Sequence, residues 1–483
     1  MKIKKITIAH ETPEKLYNLF AQYSQIYRSN SDNSLYFTFK GNSKTLLLNR
    51  KNVGDELSKV CATKFCKTLK LSELKSAYNS IQAVAKDCKD YKNIARLLYR
   101  CDDTIYYDYN HPKKVLSISS RGISIVDKNE TDVLFIKDDI NKDVEENIEL
   151  NTMPEDLIAM LSNFFNVPND QLILFIVYII SLFVPNINHP LLIVEGEYGA
   201  GKIVALKIIS KIINGNTTLQ MLPNKPDDIA TILNANYFTA FDNVGYISQA
   251  ISDLLCVSVT DGKYSKRKLY ENTDVISLDI HKPVAVNGLG LNLTQNDLLD
   301  RVIMIDLNRI DENKRVTETE LFGKLNQKLP KIKGGIFIVL RKALLKLQTV
   351  SLKNLPRLAD FAQLGYCIAE TLNEGYGEIF LKQYRDNIRI ARHTAVENNP
   401  LLDTVIKFME NRDSWTGSMT ELLQALKELY LKDSVSKNLP YTFPAAANTL
   451  SSKLKICQND LKEFNIQLEF FRKTTRGITI TKN

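Results

Sequence analysis

Between His189 and about Asn308 the chain alternates short, continuous apolar runs with stretches of helical periodicity. Leu191-Leu-Ile-Val-Glu195, Tyr237-Phe-Thr-Ala-Phe-Asp242, Pro283-Val-Ala-Val-Asn287 and Val302-Ile-Met-Ile-Asp306 have the look of strands covered on both faces. Their alternation with helices predicts a three-layer α/β unit with a largely parallel sheet. Upstream the pattern differs. Ser34–Phe39 reads as a strand and Ser72–Lys86 as a helix, and from Tyr91 a short helical start gives way to Thr104–Tyr109, Val115–Ser119 and Val133–Ile136. Asn, Gly and Pro turns separate those runs, which predicts a small antiparallel β module. Residues 138–154 are acidic and read as a linker, followed by helical patterns over 155–165 and 169–183.

Residues 317–395 read as almost wholly helical. The tail reads as helices over 401–409, 419–431 and 443–464, then strands over 466–471 and 477–481. Three helices closed by a hairpin is the order of a winged helix. The expected division is an N-terminal α+β region of no assigned role (1–90), a β module and linker (91–150), a helical collar with the α/β core (151–310), a helical lid (311–398) and the winged helix (399–483).

Composition narrows this only a little. In 483 residues, 44% are hydrophobic and 24% charged, which excludes wholesale disorder, a collagen-like chain and a small disulfide scaffold. Lys and Arg total 63 against 55 acids, a formal charge of +8 that permits a nucleic-acid partner without announcing one. The seven cysteines form no CxxC pair, and with no secretory leader pattern at Met1-Lys-Ile-Lys-Lys5 they read as free thiols in a reducing cytoplasm. The most apolar run, Leu172–Val184, falls short of the roughly 20 residues a membrane span needs, and reads as a buried helix.

The first core strand runs into Gly196-Glu197-Tyr198-Gly199-Ala200-Gly201-Lys202-Ile203, and a helical pattern follows. Glycines let a backbone curl so that successive N–H groups point at phosphate oxygens, and the following helix adds its dipole. Lys202 is placed to reach β- and γ-phosphates. The last position of such a P-loop ordinarily carries a hydroxyl for Mg²⁺. Ile203 offers a hard cation no oxygen, so ATP binding is expected to survive with slower hydrolysis.

Asp242, at the end of the second strand, stands where a Walker B carboxylate holds Mg²⁺. Asn243 follows, an amide that can orient water but cannot take its proton. Asn287, ending the third strand in Asn287-Gly288, fits a sensor that bridges water and γ-phosphate, or simply a turn. In Asp297-Leu-Leu-Asp300-Arg301 the arginine precedes a buried strand. It could serve as a finger toward a neighbour's nucleotide, or pair with Asp297 or Asp300.

Taken together, Gly196–Lys202, Asp242-Asn243, Asn287-Gly288 and Leu298–Arg301 resemble a superfamily 3-type AAA+ helicase, and more closely the primase-associated helicases of phages, plasmids and chromosomal islands. Asp261-Gly262, Arg267–Tyr270 and Leu355–Phe361 add to the likeness. The resemblance spans about Tyr91 to the C-terminus, with Ile203 as its clear departure. It implies an AAA+ P-loop core whose protomers form a ring, with a homo-hexamer expected, acting in a bacterial cytoplasm on ATP and Mg²⁺. It also implies Lys202 on phosphate, Asp242 on Mg²⁺, Asn287 as sensor and Arg301 as trans finger. Arg357 in the lid would contact nucleotide or pair with Asp360. The N-terminus shows no primase acid pair.

Two basic clusters are candidates for DNA. Lys263, Lys266, Arg267 and Lys268, with Tyr264 and Tyr270 for stacking, lie on a predicted hairpin between the second and third core strands. Lys453 and Lys455 lie in the last predicted helix, and Arg472, Lys473 and Arg476 in the wing. Two functions follow: a ring helicase that starts replication, or an origin-binding module in which nucleotide only holds the complex and hydrolysis is weak.

Overall fold

The computed structural model describes residues 7–8, 12–39, 45–136, 145–260, 262–267, 275–288, 296–397, 399–433, 438–440, 443–472 and 476–482. Its centre is a parallel sheet in the order Gln220–Met221, Thr239–Asp242, Val284–Asn287, Leu191–Gly196, Val302–Leu307. Apart from Gln220–Met221 and the polar strand ends, those strands are mostly apolar because helices cover both faces, among them Asn169–Ser181 and Lys202–Asn214. From Ile173 to Ser181 every residue is buried, as a helix apolar all round requires. Among the described residues no helix is long and apolar enough to cross a membrane.

The outer edge of the sheet is closed by side chains. The Asn387 amide accepts from Met304 N at 2.9 Å and donates to Met304 O at 2.6 Å, while Gln171 Oε1 accepts from Asp306 N at 3.1 Å. A lid helix thus stands in for the missing neighbour strand and removes an open edge. The lid comprises Glu318–Leu347, Ala359–Leu372 and Tyr376–Glu397.

Upstream the structure departs from expectation. The helical start at Tyr91 is a strand, Tyr91–Ala95, lying between Ser24–Ser29 and Val133–Phe135 in a five-stranded sheet. The boundary expected at residue 90 therefore falls inside one sheet. Leu98–Cys101, Thr104–Tyr107, Lys114–Ser119 and Gly122–Asp127 form an antiparallel meander. Its Leu98, Ile105, Tyr107, Leu116 and Ile118 join the same apolar cluster as the central sheet.

The acidic segment is no free linker where it is described. Glu146 meets the fully buried Lys333 at 2.6 Å, Lys333 Nζ also donates to the Tyr107 hydroxyl at 2.7 Å, and that hydroxyl bonds Glu146. Glu149 N donates to Pro330 O at 3.1 Å, and Gly334 is required because a Cβ there would lie 1.8 Å from Glu149 O. Thr152 Oγ1 donates to Lys331 O at 2.9 Å. The segment is strapped along the long lid helix.

The tail has its own core. Helices Pro400–Met409 and Met419–Asp433 match the pattern, but the single helix expected over 443–464 is two, Ala447–Ile456 and Gln458–Glu463, broken at Cys457. Ile466–Arg472 and Arg476–Lys482 form the hairpin. Ser414–Ser418 adds an unexpected third strand against Arg476–Lys482. The His393 ring lies 4.4 Å from that of Phe464, and Arg392 pairs with Glu463, so the lid's last helix touches the tail.

Candidate functional site

Parallel register puts the three polar strand ends at one level. Val194 pairs with Asn287, and Phe241 with Val286, so Glu195-Gly196, Asn287-Gly288 and Asp242-Asn243 emerge together at the carboxyl edge of the sheet. Clefts at that edge are where open α/β sheets bind ligands.

The loop from Gly196 to Gly201 curls through three left-handed glycines, Gly196, Gly199 and Gly201, with φ of 137°, 86° and 83°. A Cβ on Gly196 would stand 2.7 Å from Leu307 O, so backbone crowding as well as φ demands glycine there. The helix Lys202–Asn214 then begins with no side-chain cap at Gly201. Its first-turn N–H groups, which have no intrahelical partners, face the loop's end. Lys202 Nζ donates to Gly196 O at 2.5 Å and to Glu197 O at 3.1 Å, so the ammonium lies inside the curl. Tyr198 is exposed, with its ring 5.9 Å from Lys202 Nζ. Ile203 is 45% exposed, an apolar side chain left at the surface of the cradle.

Asn287, almost fully buried, clamps the neighbouring strand end. Its Oδ1 accepts from Asn243 N at 2.6 Å, and its backbone O accepts from Val244 N at 2.8 Å, while Asn243 turns through φ 54°. Two atoms here are buried with no hydrogen-bond partner among the described residues: Asn287 Nδ2 and Asp242 Oδ1. Among the described residues no group of three or more His, Cys, Asp or Glu gathers as a protein-only metal site.

Of the two roles open to Arg301, a finger toward a neighbour or a pair with Asp297 or Asp300, the described residues show the pair with Asp297. Arg301 is only 8% exposed, and its Nη1 bonds both the carbonyl and, at 2.6 Å, the carboxylate of Asp297. The hydrogen bond from Arg301 holds the Asp297 carboxyl below its ordinary range, with Arg357 adding to it. Arg357 pairs with Asp297 at 2.7 Å and Asp300 at 3.5 Å, not with the Asp360 that its sequence neighbourhood suggests. No sequence pattern points to Arg385 and Arg392, which join Asp300 and Arg357 around a cavity of about 240 Å³. Arg392 holds Asp300 at 2.5 Å.

Residues 155–388 match the family of actinomycete integrative conjugative element replication proteins, AICE RepA, and residues 401–483 match the AICE RepA C-terminal domain. By sequence, the chain is similar to these replication proteins. The first match opens one residue into the helix Pro154–Ser162 and closes in the last lid helix, so it takes in the glycine loop, Asp242, Asn287 and Arg301. No curated protein matches. Among solved structures, an apo form of the NrS-1 C-terminal region aligns with a TM-score of 0.41 and 12% identity, over 98% of this chain and 99% of that one. A second apo structure of that region, residues 305–718, gives 0.40 and 13%, over 98% and 100%. A JCV helicase gives 0.22 and 11%, over 47% of this chain and 74% of that one.

One basic cluster lies inside the first matched segment and the other inside the second. Lys263–Arg267 pairs antiparallel with Val275–Asp279, giving the stem of the expected hairpin. Lys268, Tyr270 and the turn lie outside the described residues, as does the Arg267 side chain. Tyr264 OH donates to Asp227 Oδ1 at 2.6 Å and Lys266 Nζ to Thr231 Oγ1 at 2.7 Å, which seats the stem on the helix Pro226–Ala235. Lys263 Nζ donates to Ser31 O at 3.2 Å. In the RepA-like C-terminal domain, Lys453 and Lys455 lie on Ala447–Ile456, and Lys455 Nζ stands 5.3 Å over the Phe470 ring. Arg472 pairs in register with Arg476 at the mouth of the hairpin. Lys473 and the Arg476 side chain lie outside the described residues.

Proposed function

We propose that this chain is an ATP-driven DNA helicase that starts replication of a phage, plasmid or mobile genetic island, working as a ring with nucleotide between neighbours. In this reading the core is an AAA+ P-loop domain of the superfamily 3 type and the tail a winged helix. The likeness to AICE RepA supports a role in replication. The observation that carries the chemistry is the pair of buried atoms, Asp242 Oδ1 and Asn287 Nδ2, that have no partner among the described residues and lie level with the glycine loop at the carboxyl edge.

A buried polar atom without a partner costs about 1–3 kcal/mol. A ligand or an ordered water that satisfies such an atom removes that cost. A carboxylate oxygen calls for a cation or a metal-bound water, and an amide N–H for an anionic oxygen. A magnesium nucleotide seated on the loop offers both, so these residues fit it, with Ile203 as the exception. When bound, the ion would neutralise phosphate charge. Lys202 would leave the loop carbonyls for phosphate oxygens, Asp242 would face the ion, and Asn287 would hold Asn243 in place while its Nδ2 orients a water. The loop N–H groups of residues 197–202 would bind the phosphate chain. Arg301 would act in trans only by exchanging Asp297 for a neighbour's phosphate.

DNA would pass along the Lys263–Arg267 hairpin inside the ring, and duplex DNA would meet the tail. The order helix, strand, three helices, strand, strand there supports a winged helix reading DNA with its later helices and wing. A second reading, an origin-binding module with weak hydrolysis, is favoured by one observation: the exposed hydrocarbon of Ile203 where an oxygen would serve Mg²⁺.

DNA-stimulated ATP hydrolysis and strand displacement by the native chain, Lys202→Ala and Ile203→Ser separate these readings. The helicase reading expects native hydrolysis and unwinding that Lys202→Ala abolishes. Native protein that binds ATP and DNA yet does neither, with Ile203→Ser gaining both, would favour the second.

A further inference from the structure

We propose that Arg315 is a second cationic ligand, in cis, for the polyphosphate chain that the glycine loop gathers. The inference rests on the reading that this loop binds a nucleoside triphosphate. Arg315 lies outside every motif legible in the sequence.

After the last core strand the chain turns back over the loop. Ile310 N approaches Gly199 O at 3.4 Å, and a Cβ on Gly201 would stand 3.2 Å from Ile310 Cδ1. A 3₁₀ turn, Glu312–Lys314, then delivers Arg315. A Cβ built on Gly199 would stand 3.3 Å from Arg315 Nη2, so the guanidinium occupies the space beside the middle of the loop.

Arg315 is also lightly held. Among the described residues it pairs with Glu312, at 3.7 Å and with both side chains open to solvent. A solvent-exposed pair at that distance contributes little, so moving the guanidinium to a phosphate oxygen costs little. Arg301 and Arg357, by contrast, rest on carboxylates at 2.6 and 2.7 Å. A guanidinium fork suits two phosphate oxygens at once.

The second cation has a reason to be there. With Ile203 in place of a hydroxyl, the cradle offers Mg²⁺ one oxygen fewer, and less of the phosphate charge is neutralised through the metal. Arg315 beside Lys202 supplies fixed charge that needs no metal. Its contribution should therefore be largest when the ion is withdrawn.

Equilibrium binding of ATP to the full chain, in Mg²⁺ and in excess EDTA, tests this with Lys202→Ala, Arg315→Ala, Arg315→Lys and Glu312→Gln. Arg315→Ala should weaken binding about tenfold, the size of one charge-assisted hydrogen bond, and more in EDTA than in Mg²⁺. Arg315→Lys should recover part of the loss. Glu312→Gln frees the guanidinium and should tighten binding, an effect that damage to the fold would not produce. If native protein binds ATP and Lys202→Ala loses it, but Arg315→Ala and Glu312→Gln bind as native in both conditions, the inference is wrong and the nucleotide reading stands. If native protein binds no ATP, both fall.

Discussion

Asn287 holds Asn243: the side-chain oxygen of one accepts the backbone N–H of the other at 2.6 Å, tying the ends of two adjacent parallel strands. The same amide leaves its Nδ2 buried and unpaired among the described residues. Its two halves can be separated by substitution. Asn287→Ala loses both and strands the Asn243 N–H, a cost of about 1–3 kcal/mol. Asn287→Asp keeps the acceptor and loses the donor. Both variants should hydrolyse ATP at least about tenfold more slowly and melt at lower temperature, Asn287→Ala by stranding the Asn243 N–H and Asn287→Asp by burying a carboxylate without a counter-charge. Native turnover in Asn287→Asp would remove Asn287 from the chemistry.

Lys333, Glu146 and Tyr107 form a buried polar knot between the lid helix, the acidic segment and the meander. Removing one charge of a buried pair leaves the other without compensation, at about 3–5 kcal/mol. Lys333→Met should cost that much in urea unfolding. Lys333→Met with Glu146→Leu should recover a large part of it, because an apolar replacement of both partners leaves no stranded charge. A double variant as weak as the single would show that packing, not charge, sets the loss.

His189 is buried, with Nε2 2.9 Å from Ser181 O, and burial pushes its imidazole from 6.5 down to about 4. The folded chain therefore binds this proton more weakly than the unfolded chain. The stability it confers is whole above about pH 6.5 and is lost as pH falls toward 4, by about 1.4 kcal/mol per unit. Urea unfolding between pH 7 and pH 4 should show that slope, and His189→Asn should flatten it. An unchanged slope in the variant would assign the acid sensitivity elsewhere.

On the hairpin stem, the Lys263 and Lys266 ammonium groups rest on the neutral oxygens of Ser31 and Thr231, so their charge remains available to phosphate. Every phosphate of single-stranded DNA that a protein no longer neutralises lowers the salt dependence by about 0.7 in slope. Replacing both lysines with Ala should flatten log affinity against log salt by about 1.4. Identical slopes would exclude the stem from the DNA path.

What the sequence reveals tracks how local each signal is. The four main core strands are continuous apolar runs, and the glycine loop follows one of them directly, so both are legible. Gln220–Met221 is too short to carry a period, and Ser414-Trp-Thr-Gly-Ser418 mixes polarity because it lies half open. Tyr91-Lys-Asn-Ile-Ala95 lacks alternation since its pairing comes from strands some sixty residues before and forty after. The Asp-Leu-Leu-Asp-Arg run allows either an outward arginine or one folded back on Asp297. Only the tertiary setting, with Arg357 closing on the same carboxylate, shows the second. Arg315 reaches the loop through a turn that no pattern announces.

Every residue given a chemical role lies after position 195, yet the shortest piece able to do chemistry should begin about a hundred residues earlier. Leu98, Ile105, Tyr107, Leu116 and Ile118 pack in one core with the strands that carry the glycine loop, Asp242 and Asn287. The meander is thus a buttress of the sheet that carries the glycine loop, not an appendage to it. A fragment trimmed to the replication-protein match at residue 155 would expose that apolar wall and leave Lys333 buried without Glu146, and it should aggregate before any nucleotide could be offered to it.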